Sequence, residues 1–257
     1  MHWDYILLLA ILAVLVPWRS LSRIRELVAA PQLASSQRMM LYASTIIFQG
    51  AAVAVILWRC SAHHLSLAAI GVAFPPPLGS IIGAVGLSLI LVLNQIYAIR
   101  HVATLPHEGR GVVAKLAEKL LPRTKNEAVL GTLLVLTVAI CEEFIYRGFV
   151  QTVFTTFLAG SAAAAAVISA AFFSSAHAYQ GRKGLITTFA VGVILSAVRI
   201  WTGSLFPSII IHFAVDFSVG VAALRFLPFR GDPLALISLH LSSFSQQIEA
   251  EGSKEAM

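Results

Sequence analysis

Long apolar stretches separated by short polar segments recur along most of the chain. Seven of them predict membrane-crossing helices, at residues 3–18, 39–58, 78–99, 128–158, 161–179, 184–201 and 205–224. About 20 apolar residues in a helix cross a bilayer, and the period-two alternation of a membrane β-barrel is missing here. The pattern therefore predicts an all-α fold, a polytopic membrane helical bundle of about seven transmembrane helices.

The polar segments suggest a division of the chain into four parts. These are the first three spans in 1–100, a cytoplasmic connection in 101–127, a helical core in 128–226 and a polar tail in 227–257. Within the connection, residues 112–121 predict a surface helix that ends at Pro122. Residues 65–77 end in prolines, which cannot continue a helix, so we predict an interfacial or re-entrant segment there. We expect residues 249–257 to be disordered.

Composition supports the membrane interpretation. The 257 residues are 58% hydrophobic and 12% charged, whereas a soluble domain carries about 25% charged residues. The first apolar stretch lacks a basic leader and a small-residue cleavage site, so we interpret it as a retained span. Cys60 and Cys141 stand alone, which indicates neither a disulfide framework nor a zinc knuckle.

Basic residues are distributed asymmetrically between the predicted loops. With the N-terminus outside, the cytoplasmic segments collect Arg19, Arg23, Arg25, Arg38, Arg100, Arg110, Lys115, Lys119, Arg123, Lys125, Arg182, Lys183, Arg225, Arg230 and Lys254. On the outside falls Arg59, and Arg199 lies near that face. This bias predicts an N-out, C-in protein of the cell (inner) membrane. Topology explains the net charge of +6 better than a nucleic-acid partner does, so membrane lipids are the expected surroundings.

Three charged residues interrupt the apolar run at 128–158. Glu142, Glu143 and Arg147 lie where a membrane helix should carry no charge, and such groups are functional by default. Glu143 and Arg147 are four apart, so on a helix they share a face and can pair. Glu142 points about 100° away and is left free for chemistry.

The later spans add few further ionisable groups. His177 lies near the end of the fifth, and His212 and Asp216 share a face of the seventh. A carboxylate and two imidazoles on facing helices are the parts of a hydrolytic centre. Glu142 can take a proton from water, His177 can orient that water or join Glu142 in binding a metal, and His212 can donate to an oxyanion.

Simpler explanations exist for each feature alone. His177 could be a hydrogen-bonded packing residue, and Glu143 with Arg147 is better explained as a structural ion pair than as catalytic machinery. His212 with Asp216 could be a polar clamp between helices. Taken together, six costly residues on three spans favour one shared site.

These residues resemble a known family. Glu142-Glu143-x-x-x-Arg147, Phe173-x-x-x-His177 and His212-x-x-x-Asp216, in this order on successive membrane helices, resemble the CAAX protease and bacteriocin-processing (CPBP, or Abi) intramembrane proteases. The resemblance covers roughly residues 128–221. It implies that Glu142 and His177 activate the attacking water, while His212 and the last motif position stabilise the oxyanion. Glu143, Arg147 and Phe173 would be structural support.

Asp216 departs from the family pattern, which commonly has asparagine there. An ionised aspartate cannot donate to an oxyanion. It could be protonated, could orient His212, or could face a cation; we favour the orienting role. The resemblance leaves metal dependence open, and zinc could bind at Glu142, His177 and His212.

The sequence thus predicts an intramembrane endopeptidase that hydrolyses membrane-associated protein or peptide substrates with water activated by Glu142 and His177. The alternative is a catalytically silent membrane scaffold or bacteriocin-immunity-type protein. A transporter with a proton relay comes third, because the chain has no internal repeat.

Overall fold

The helical prediction is confirmed. A computed structural model of the chain describes residues 2–72, 76 and 78–227, and these residues form helices and turns without a strand. The eight helices in this described part are α1 (Trp3–Ala29), α2 (Ser35–Ala62), α3 (Leu78–Ala103), α4 (Gly111–Leu120), α5 (Lys125–Phe157), α6 (Ala162–Ala176), α7 (Gly181–Thr202) and α8 (Phe206–Phe226). Short 3₁₀ turns precede α4 and α7.

Six helices in this described part are long and apolar enough to cross a membrane. They are α1, α2, α3, α5, α8 and α7 together with its preceding turn. The chain is therefore a polytopic membrane protein. The predicted fifth span is shorter than expected: α6 has 15 residues, about 22 Å of helix against a hydrocarbon core of about 30 Å. It ends because His177 leaves the helical conformation and Gly181 begins a new helix with φ at +76°.

The first helix is longer than predicted. We expected a span at residues 3–18 followed by a basic loop, whereas α1 continues to Ala29 and carries Arg19, Arg23 and Arg25 on its exposed surface. Pro17 does not end it, because the preceding turn, Ile11–Leu15, is π-helical and changes the hydrogen-bonding pattern there. The helix stops before Pro31, which disfavours helical geometry in the residue that precedes it.

Arg38 was predicted to lie in the basic segment before the second span, and this is wrong. It lies within α2 and is buried. Its Nε and Nη2 donate to the two carboxylate oxygens of Glu127 on α5, each at 3.0 Å. The backbone N–H of Arg123 donates to Glu127 at 2.7 Å. Breaking such a buried pair costs about 3–5 kcal/mol, so this contact fixes α2 against α5.

The predicted surface helix is present as α4, but it is not simply a surface element. Ala114, Leu116 and Lys119 are buried. The Lys119 ammonium donates to the carbonyl oxygens of Leu27 and Val28 at 2.8 Å, and also to that of Ala30. A cation on the last carbonyls of a helix stabilises its C-terminus, so α4 docks on the end of α1.

The segment before α3 packs into the bundle. Its described part, residues 65–72, forms turns, and Ile70 is fully buried against α5. The Gly71 carbonyl accepts a hydrogen bond from the Leu205 N–H at 2.9 Å. A Cβ on Gly148 would lie 3.3 Å from the Ile70 carbonyl, so glycine permits this close approach. A re-entrant or interfacial position stays a prediction, and residues 73–75 and 77 lie outside the described residues.

The polar tail predicted at 227–257 is described only at Leu227, which is buried. The remainder, including the predicted disordered end, lies outside the described residues. The division into four parts and the N-out, C-in orientation stay predictions.

Candidate active site

The glutamate pair lies where α5 changes its helical geometry. Residues Glu143–Val150 form a π-helical segment, and every one of them is buried. Such segments occur inside α-helices mostly as single turns and frequently at functional sites. Nothing in the hydrophobic pattern predicted this one.

Glu143 is fully buried and contacts two side chains, those of Arg147 and His212. Its Oε1 accepts from Arg147 Nη1 at 2.9 Å and lies 2.8 Å from His212 Nδ1. Arg147 also donates to the Gly192 carbonyl on α7 at 3.3 Å, and its guanidinium lies 4.2 Å from the Phe173 ring centroid. The ion pair expected from the spacing is therefore present, and Glu143 has a second contact that the sequence analysis missed.

His212 is surrounded by carboxylates. Its Nδ1 faces Glu143, while its Nε2 lies 3.4 Å from Asp216 Oδ2 and 3.9 Å from Glu142 Oε2. An ionised carboxylate only accepts hydrogen bonds, so a ring with carboxylates at both nitrogens is best matched as the doubly protonated imidazolium. This arrangement places the Nε2–H donor of His212 next to both Asp216 and Glu142.

Glu142 and Glu143 each have one buried carboxylate oxygen without a hydrogen-bond partner among the described residues, but in Glu142 this oxygen lies 3.9 Å from His212 Nε2. The Oε1 of Glu142 accepts from Gln49 Nε2 of α2 at 3.3 Å, whereas its Oε2 is the oxygen without a partner. The side chain is 14% exposed. Gln49 was missed by the sequence analysis, although an amide within the apolar run 39–58 was a signal that could have identified it.

His177 lies at the edge of this group. It follows the last residue of α6, and its Nδ1 is 2.9 Å from the Phe173 carbonyl, which can only accept. Its ring is 4.8 Å from the Phe173 ring, which is in turn 5.7 Å from the His212 ring. Across the described residues, His177 forms no hydrogen bond with Glu142 or His212. The structure brings Glu142, Glu143, His212 and Asp216 together. His177 is separated from His212 by the ring of Phe173.

Asp216 is the most open member of the group. Its side chain is 42% exposed, compared with 5% for His212. It contacts the ring nitrogen of His212 that also faces Glu142.

The zinc set proposed from the sequence does not fit this arrangement. Within residues 2–72, 76 and 78–227, no three His, Cys, Asp or Glu side chains are grouped so that they could hold a metal ion. Glu142 and His212 approach each other, but the Nδ1 of His177 is engaged by the Phe173 carbonyl.

Residues 124–218 match the family model described as Type II CAAX prenyl endopeptidase Rce1-like. The matched range runs from the start of α5 into α8 and contains all the site residues predicted above: Glu142, Glu143, Arg147, Phe173, His177, His212 and Asp216. No curated protein and no solved structure matches the chain. The chain therefore contains an Rce1-like CAAX prenyl endopeptidase domain at residues 124–218, which confirms the family resemblance. Gln49 lies outside that range.

Proposed function

We propose that this chain is an intramembrane endopeptidase that hydrolyses peptide bonds of membrane-associated proteins or peptides. The observation that carries the proposal is the unbonded Oε2 of Glu142, buried 3.9 Å from His212 Nε2. Glu143 Oε2 also lacks a donor, but Glu143 is already held through Oε1 by Arg147 and His212, whereas the hydrogen bond of Glu142 is a 3.3 Å contact with the neutral amide of Gln49. An oxygen directed at a histidine across a gap suits a general base, and the Rce1-like match supports the same chemistry.

The distance between these two atoms suggests where the water acts. At 3.9 Å, Glu142 Oε2 and His212 Nε2 are too far apart for a direct hydrogen bond, but a water can bridge them. Glu142 removes a proton from this water as its oxygen bonds to the scissile carbonyl carbon. The carbonyl oxygen becomes an oxyanion, which accepts a hydrogen bond from His212 Nε2. Glu142 then returns the proton to the leaving amine as the C–N bond breaks.

The remaining site residues orient Glu142 and His212 or adjust their charge. Glu143 holds the Nδ1–H of His212, and Arg147 balances the charge of Glu143. Asp216 favours the charged form of His212 before substrate binds. When the oxyanion replaces Asp216 as the partner of His212 Nε2, the exposed Asp216 carboxylate can be solvated by water. His177 donates from Nδ1, so its Nε2 has a lone pair that can accept a hydrogen bond from the attacking water.

Substrates are expected to approach from the cytoplasmic side, where the N-out, C-in topology directs the basic connections. The alternative, a silent scaffold or immunity-type protein, predicts that Glu142 has no chemical role. The two are separated by the activity of the Glu142→Gln variant.

The test uses the purified full-length chain in lipid vesicles with an internally quenched, farnesylated peptide that ends in a CaaX sequence. We expect the wild type to cleave it and Glu142→Gln to lower the rate by about 100-fold or more. Quantitative proteomics of membrane peptides from cells that carry either form extends the test to substrates without a prenyl group. Equal rates in the first assay and identical peptides in the second would overturn the proposal.

A further inference from the structure

Gln49 contacts the proposed general base from a helix outside the Rce1-like range. Its Nε2 donates to Glu142 Oε1 at 3.3 Å. We infer that Gln49 is a positioning residue that fixes which oxygen of Glu142 acts on the water. This inference rests on the proposed function and adds a residue from α2 to the machinery.

The position of Gln49 on α2 is fixed by its neighbours. Residues 38, 42, 49, 56 and 60 share one face of the helix by their spacing. Arg38 is held by Glu127 through two hydrogen bonds of 3.0 Å, and the Tyr42 hydroxyl donates to the Leu120 carbonyl. At the other end of this face, Ile56 and Cys60 are 2% exposed and pack in the core. Gln49 therefore lies between two anchored ends, where α2 cannot easily rotate it away from Glu142.

The chemistry of an amide suits this role. Gln49 is the only carboxamide in the apolar run 39–58, and a polar group in such a run requires a partner. Its N–H occupies Oε1 of Glu142, which leaves Oε2 facing His212 Nε2. A lysine or arginine here would orient the carboxylate but would also form an ion pair with it and weaken it as a base. A neutral donor orients the group without neutralising its charge.

The contact also separates Glu142 from Glu143. Without a donor from α2, the Glu142 side chain could rotate and compete with Glu143 for Arg147, which is fully buried on the same helix. With Oε1 held, the two adjacent glutamates keep different partners: Gln49 for the first, and Arg147 with His212 for the second.

The kinetic test compares two variants of similar size in the quenched-peptide assay. Gln49→Met removes the donor, and Gln49→Glu replaces the amide by a carboxylate that can only accept. We expect kcat to fall about 10-fold for the first and about 100-fold for the second, with KM changed less than about 2-fold. Thr45→Val, at an exposed position one turn earlier on α2, is the matched control and should leave kcat unchanged. A purely structural role would instead lower the thermal unfolding temperature of Gln49→Met and leave kcat per folded molecule intact.

A second measurement tests the contact without any cleavage. The infrared difference spectrum between wild type and Glu142→Gln isolates the carboxylate bands of Glu142. The same difference taken in the Gln49→Met background should show those bands at a different frequency, because a hydrogen-bond donor has been removed. Unchanged bands, or an unchanged kcat in Gln49→Met, would overturn the inference. Shifted bands in a wild type that cleaves no peptide would support the contact and overturn the proposed function instead.

Discussion

Glu143 Oε1 lies 2.8 Å from Nδ1 of His212, and the same oxygen accepts from Arg147 at 2.9 Å. The second glutamate of the pair thus combines the structural ion pair expected from its spacing with the orienting contact that the sequence analysis assigned to Asp216. Asp216 approaches the opposite ring nitrogen, at 3.4 Å. The two carboxylates consequently have different roles in the proposed mechanism, and they predict different mutant behaviour.

Glu143→Ala should destabilise the protein strongly. The substitution leaves Arg147 fully buried without its counter-charge, which costs about 3–5 kcal/mol. Arg147→Ala should also destabilise, because Glu143 loses one of its two partners. Thermal unfolding and the yield of monodisperse protein measure the effect, and Glu26→Ala, at an exposed carboxylate of α1, is the control. A stable but inactive Glu143→Ala beside an active Glu142→Gln would mean that the two glutamates have exchanged roles.

Asp216→Asn should keep substantial activity. Glu143 still holds Nδ1 of His212, and an asparagine amide can donate to the oxyanion, whereas an ionised aspartate cannot. We expect kcat within about 10-fold of the wild type in the quenched-peptide assay, since one contact of a partly exposed side chain is altered. A loss of about 100-fold or more would show that the carboxylate itself is required.

The two site histidines should both be needed for proteolysis. His212→Ala removes the oxyanion donor and His177→Ala removes the lone pair offered to water, so each should lower kcat by about 100-fold or more. His101→Ala, at an exposed position of α3, is the matched control and should have no effect. Retained activity in His177→Ala would assign that residue to packing, in keeping with the Phe173 ring that separates it from His212.

The sequence predicted those features that depend on the cost of burying a charge. Six ionisable residues in apolar runs identified the site region, and apolar length located the helices. The extension of α1 was missed because its residues beyond 18 are amphipathic. Hydropathy marks the end of the apolar stretch, but the helix continues past that point. The Glu143–His212 contact and the reach of Gln49 depend on how α2, α5 and α8 pack, which spacing along one helix does not determine.

The last prediction concerns α6, which is the one predicted span too short for a bilayer by itself. Two contacts between α5 and α7, the helices on either side of α6 in the chain, indicate the direction in which α6 runs. Arg147 donates to the carbonyl of Gly192, and Gln151 donates to that of Ser196, so four residues along α5 correspond to four along α7. The two helices therefore run parallel, and the chain between them has to return across the same depth.

We accordingly expect α6, with its flanking turns, to cross the membrane and to make seven crossings in all. In a variant without Cys60 and Cys141, single cysteines at the exposed positions Thr104, Ser161 and Lys183 can be tested with a membrane-impermeant thiol reagent. Thr104→Cys and Lys183→Cys should react only from the cytoplasmic side, and Ser161→Cys only from outside. The basic pair Arg182 and Lys183 favours the same assignment, because positively charged loops remain in the cytoplasm. Reaction of Ser161→Cys and Lys183→Cys from one side would mean that α6 does not cross, and that the parallel arrangement of α5 and α7 is wrong.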